Sequence, residues 1–265
     1  MLVQEIFDVI IDFLHNDKMA LATCSLTCLT WVPAARFHLF YEVTAHSETF
    51  PLLVKLLETS PHIRSMIKSL VVQGRDSQQR NTPARRRQSN SADIVLASKL
   101  AMLTTLIPDV KFLRISAVDW ELFILENILH VLARTLSCVA HLDLERVKLR
   151  TFSHFTSLIC SFPKLRQLSL DGISWDANST SASVLIQPLA VDVSYLRNVG
   201  HARCLIGWLL AQDPEPEVRT FFMQVGLDEG YDVGRRLLQS ALGASVQRLH
   251  LSLEKFTGNH PMQSK

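Results

Sequence analysis

Little in this chain points to chemistry of its own. Glycine is scarce, with nine in 265 residues, and none builds the glycine-rich turn that cradles a phosphate. The five cysteines, Cys24, Cys28, Cys138, Cys160 and Cys204, are odd in number and scattered through mostly apolar segments. They suit small buried hydrophobes in a reducing compartment rather than a disulfide frame. No second pair at zinc spacing follows Cys24, Cys28 and His38, which argues against a metal site. There is no G-x-S-x-G and no other local signature of a nucleophile. An excess of either charge is missing too: 27 Lys+Arg stand against 25 Asp+Glu, a formal net charge of +2. That speaks against a nucleic-acid surface spanning the whole chain. No apolar run approaches the ~20 residues that cross a bilayer. Glu5, Asp8 and Asp12 interrupt what a signal peptide would keep apolar. The expectation is a soluble protein of the cytoplasm, the nucleus or both. No catalytic residues, cofactor or metal are expected, nor a nucleic-acid or membrane partner.

What is present is a folded interior. Hydrophobic residues make up 48% of the chain, too many for a mostly disordered protein, and the length allows one large domain or two smaller ones. The first 41 residues read as three short helices. Ile6, Val9, Ile10, Phe13 and Leu14 recur at helical spacing, with Glu5, Asp8 and Asp12 on the other side. Asn16 or Asp17 can cap a second helix carrying Leu21, Ala22, Cys24, Leu26 and Cys28. Pro33 is tolerated only in a first turn, so a third helix starts near Trp31 and runs through Phe37 and Leu39 towards Tyr41. Three helices this short make a core too small for comfortable independence. They need the rest of the chain or a partner.

Beyond them the pattern changes to β-like runs that resemble one another. Leu113-Arg-Ile115-Ser-Ala-Val118-Asp-Trp120 has the form L-x-I-x-x-V-x-W. Leu142-Asp-Leu144-Glu-Arg-Val147-Lys-Leu149 and Leu168-Ser-Leu170-Asp-Gly-Ile173-Ser-Trp175 repeat it. Val191-Asp-Val193-Ser-Tyr-Leu196 is a fourth, weaker copy. The runs start 29, 26 and 23 positions apart, within or close to a leucine-rich period. Leu70-Val-Val72 and Leu249-His-Leu251-Ser-Leu253 add an earlier and a later strand. Helices are expected between them at Phe50–Thr59, Ala92–Ile107, Glu121–Ser137, Thr151–Cys160, Ala202–Ala211 and Tyr231–Leu242. Alternating strand and helix predicts a parallel sheet. A fixed period favours a curved solenoid over an ordinary α/β domain.

Residues 74–91 break the rhythm with Arg75, Arg80, Arg85, Arg86 and Arg87 among polar residues, and read as a mobile basic insertion. The run Arg85–Arg87 is either a solvated loop or a patch for nuclear import or an acidic partner. The acidic turn Asp213-Pro214-Glu215-Pro216-Glu217 ends a helix.

The first segment resembles a known family. Leu2-Val3-Gln4-Glu5-Ile6, Ile10-Ile11-Asp12-Phe13-Leu14, Leu21, Cys24-Ser25-Leu26-Thr27-Cys28-Leu29-Thr30-Trp31-Val32-Pro33-Ala34-Ala35-Arg36 and Leu39-Phe40-Tyr41 look like an F-box. More narrowly, they resemble the F-box proteins of mushroom-forming fungi, as do Ser60-Pro61-His62-Ile63-Arg64 and Ile67-Lys68-Ser69-Leu70. The close resemblance covers roughly residues 2–72. The remainder resembles leucine-rich repeats only loosely. Two departures stand out: Val3 replaces the family's proline, and Val118, Val147 and Ile173 replace the asparagine usual after the repeat strand. The turns must then find other hydrogen-bond partners, so irregular repeats are expected.

The resemblance implies an α/β protein with a three-helix F-box in residues 1–45. An irregular leucine-rich-repeat-like solenoid with a parallel sheet would fill residues 46–265. It further implies a non-enzymatic substrate receptor for ubiquitin-dependent degradation. The F-box would dock on a Skp-type adaptor and through it on a cullin–RING ligase, while the repeats hold an unknown target protein. Candidate adaptor-binding residues are Leu2, Ile6, Ile10, Leu21, Trp31 and Leu39, although Leu21 and Ile10 could equally hold the helices together. Trp31 and Leu39 lie about two helical turns apart and so share a face. The alternative is a leucine-rich interaction scaffold that no longer engages a ligase.

Overall fold

A computed structural model of the chain describes residues 4–46, 48–74, 100, 102–118, 131–132, 134–176, 192–197, 202–213, 217–225, 235 and 239–253. Leu2, Val3, the basic insertion beyond Gly74, and most of the helices expected at Ala92–Ile107, Glu121–Ser137 and Tyr231–Leu242 lie outside these residues.

Three helices come first: α1 (Gln4–Phe13), α2 (Lys18–Thr27) and α3 (Val32–Tyr41). Of the two candidate caps for α2 the chain uses Asp17, whose Oδ1 accepts from the Ala20 N–H at 2.9 Å. α3 begins after Trp31 with Pro33 in its first turn, where a missing N–H costs nothing. Strand β1 (Glu42–His46) follows at once, then α4 (Phe50–Thr59), α5 (Pro61–Arg64) and β2 (Ser69–Gln73). The rest comprises β3 (Phe112–Ser116), β4 (His141–Glu145), α6 (Phe152–Cys160), β5 (Gln167–Asp171), β6 (Asp192–Arg197), α7 (Ala202–Leu210), β7 (Thr220–Val225), α8 (Ala241–Ser245) and β8 (Arg248–Leu253).

The fold is mixed α/β. Its eight described strands form one sheet in chain order, β1 to β8, each parallel to its neighbours. The repeated apolar positions explain the register. Leu70, Leu113, Leu142, Leu168 and Val193 stand side by side in one row. Val72, Ile115, Leu144, Leu170 and Leu196 form the next, and all ten residues are buried. Val118, Val147 and Ile173 continue the interior beyond the strand ends, followed by Leu149 and Trp175. Helical residues cover this side, with Phe155, Leu158, Leu205 and Trp208 in the same cluster. On the other side Arg114, Asp143, Ser169 and Tyr195 stay partly exposed. Parallel sheets are usually buried on both faces; here the alternation, clearest in β4 and β5, leaves one face partly open.

The turns after β3, β4 and β5 share one device. Ala117, Arg146 and Gly172 take positive φ values of 53°, 52° and 65°, just before Val118, Val147 and Ile173. Their N–H groups donate to the backbone oxygens of Glu145, Asp171 and Arg197, each at the end of the next strand. That ladder supplies the partners the absent asparagines would have supplied.

Irregularity appears elsewhere. Between Leu168 and Ser169 the pairing slips, so that Ser169 faces Tyr195 and one extra residue, Ser194, bulges from β6. This corrects the fourth repeat: Val193 takes the first apolar position and Leu196 the second, not Val191 and Val193. Strands β1 and β7 were not expected. The sheet begins at Glu42, so a boundary at residue 45 falls inside β1.

Candidate docking surface

Helix α1 is apolar around more than half its circumference. Ile11 is fully buried with Leu21 and Ala35, and Leu14, Cys24, Trp31, Ala34 and Leu39 pack around them. The Phe7 ring lies 5.5 Å from that of Trp31. The Asp12 carboxylate meets His38 Nε2 at 2.7 Å, and Gln4 Nε2 donates to the Thr30 carbonyl at 3.0 Å. Both tie α1 to the α3 end of the helical trio. From α2, Lys18 Nζ donates to the carbonyls of His38 and Leu39, placing a cation where the helix dipole of α3 is negative.

One stripe of α1 takes no part in this. Ile6, Val9, Ile10 and Phe13, at i, i+3, i+4 and i+7, are 44%, 52%, 48% and 82% exposed. Met19 and Leu26 on α2 and Leu29 in the following turn are more than three-quarters exposed. Single exposed apolar side chains are ordinary; four along one helical stripe form the kind of patch that interaction sites use.

The expected site residues divide accordingly. Ile6 and Ile10 belong to the open stripe. Leu21 does not: it is completely buried between the helices, so it holds them together and offers nothing to a partner. Trp31 and Leu39 pack against the same small cluster and are half-buried, which makes them chiefly internal supports. Leu2 lies outside the described residues. Val9, Phe13, Met19, Leu26 and Leu29 are additions. The signal for the α1 pair was already there: Phe7, Ile11 and Leu14 suffice for an inward face, so Ile6, Val9, Ile10 and Phe13 are surplus to it.

Cys28 sits in the turn after α2, exposed, its Sγ 3.0 Å from Thr30 Oγ1. That hydroxyl, aided by the Thr30 and Trp31 backbone, holds the thiol below its ordinary range. His38 is engaged with Asp12. Among the described residues no helix is long and apolar enough to cross a membrane. No family model matches the chain, and no curated protein matches it.

Proposed function

We propose that this protein is an F-box substrate receptor. Its helical trio docks on a Skp-type adaptor, and a leucine-rich-repeat-like solenoid holds a target protein for a cullin–RING ubiquitin ligase. The observation that carries the reading is the unburied stripe Ile6, Val9, Ile10 and Phe13, on a unit whose own core has three fully buried side chains, Ile11, Leu21 and Ala35. An amphipathic helix with spare apolar anchors at i, i+3, i+4 and i+7 is what a partner groove accepts. The receptor contributes no reactive group. It brings a target lysine near a ubiquitin-charged enzyme and so raises the effective concentration.

The test is a pull-down of the adaptor with wild type and with Ile10→Asp/Phe13→Asp, using circular dichroism as the folding control. Each buried anchor is worth roughly 1.5–3 kcal/mol, so losing two should weaken binding by about 100-fold or more. Trp31→Ala/Leu39→Ala should instead lower helix content, because those side chains support the trio. A folded Ile10→Asp/Phe13→Asp variant that binds like wild type means the face is wrong. Failure of wild type to bind leaves an interaction scaffold without ligase engagement.

A further inference from the structure

At the β6–β8 end of the open sheet face three rings lie side by side. Tyr195 is 4.7 Å from Phe222, and Phe222 is stacked on His250 at 4.2 Å with an interplanar angle of 6°. The Arg197 guanidinium lies 5.8 Å over the Phe222 ring, and its Nη1 is 4.0 Å from Asp171 Oδ2. Tyr195, and after it Asp171, favour its charged form. A flat cation held on an aromatic face and braced from one edge is already oriented.

The carboxylates are recessed beneath their arginines. Asp171 is 27% exposed against 49% for Arg197, and Asp192 is 17% against 46% for Arg219. An approaching group therefore meets guanidinium N–H donors first. A carboxylate brace engages only part of the five donors an arginine carries, so the outer edges remain for a ligand. Arg248 lies two residues before His250 in β8, is exposed, and makes no ion pair among the described residues.

We propose that this platform receives a short acidic peptide segment of the bound target, carboxylates of which meet Arg197 on β6 and Arg248 on β8 beside the Phe222–His250 stack. The proposal rests on the receptor reading and names the chemistry of its target. The occupant is short because the aromatic platform is confined to β6–β8, while further along, on β4, Asp143 and Glu145 are paired with Arg114 and Arg146. A nucleic-acid strand needs a continuous track of unpaired cations, whereas a peptide can place a single carboxylate where a guanidinium edge is open.

The experiment is fluorescence anisotropy on the full chain. Its probes are a labelled Glu/Ser alternating peptide, its Lys/Ser counterpart, and an oligothymidylate of matched charge. The Glu/Ser peptide should bind, and more weakly as salt is raised. Arg197→Gln should weaken binding roughly ten-fold or more, since hydrogen bonds to charged groups are the strong ones. Arg248→Gln, at an exposed site, should do the same without altering the melting curve. Tighter binding of oligothymidylate, equal binding of the Lys/Ser peptide, or unchanged affinity in both variants would overturn the proposal. The adaptor pull-down separates the two readings. Loss of peptide binding with adaptor capture intact removes only the acidic-ligand claim; loss of adaptor capture with peptide binding intact removes only the ligase claim.

Discussion

At Gly74 a side chain has nowhere to go. A Cβ there would fall 2.3 Å from the Ala117 carbonyl oxygen, and that oxygen belongs to the neighbouring turn and cannot swing aside. Gly172 presents a milder case: its φ is +65°, and a Cβ would meet Arg146 at 3.3 Å. Arg146 and Ala117 already occupy the same left-handed position with side chains, at a cost of about 1 kcal/mol each. Gly74→Ala should therefore destabilise the protein by roughly 1–3 kcal/mol and Gly172→Ala by about 1 kcal/mol. Urea denaturation of the two variants gives the order directly. Gly172→Ala proving the worse would mean that the turn, rather than the close approach at Gly74, is the tight point.

Among the elements, the weakest are α1 and α2. The small cluster of Ile11, Leu21 and Ala35 is what they share with α3, whereas α3 also sends Phe40 into the main core. Leu21→Ala should cost about 2–5 kcal/mol, comparable with all that so small a core supplies. Hydrogen exchange should then quicken in α1 and α2 while α3 and the strands stay protected; uniform quickening would show one undivided core. The same contrast in burial decides how much was readable in advance. The three N-terminal helices follow from spacing, the position of Pro33 and a cap at Asn16 or Asp17, of which the chain uses Asp17; α4, α6 and α7 lie over ranges closely similar to those expected. Strands β3, β4 and β5 follow from their repeated apolar triplet. Strand β1 left no comparable trace, because Glu42-Val-Thr-Ala-His offers only Val43 and Ala45 to the interior and borrows its place from β2. In β7 the apolar run Phe221-Phe222-Met223 hides the alternation, since Phe222 faces outward to stack on His250. The bulge that shifts β6 is a pairing event and leaves no local spacing to read. For the docking surface, residue type was legible but direction was not. Leu21 and Ile10 are equally apolar, and only the packing of α2 on α3 decides that one is buried and the other open.

For the molecule as a whole, the junction between α3 and β1 matters most. Tyr41 closes the helix, Glu42 opens the strand, and the Tyr41 carbonyl accepts from the Lys68 N–H at 3.0 Å, as if already part of the sheet. The trio is thus joined to the sheet by a shared helix rather than a linker. Inserting Gly-Ser between Tyr41 and Glu42 should break that bond and pull Phe40 from the main core. Calorimetry should then resolve a separate low-temperature transition for all three helices. A single transition at the wild-type temperature would mean the junction carries no coupling.

The backbone ladder at Ala117, Arg146 and Gly172 has a consequence of a different kind. Each turn is sealed by a main-chain N–H meeting a main-chain oxygen of the next strand, so the seal does not depend on which side chain the turn bears. The side chains of exposed positions beside the turns, such as Arg150, face water and take no part in the seal. A lineage could rewrite that rim and the outward positions of the strands residue by residue, acquiring new recognition without renegotiating the scaffold beneath.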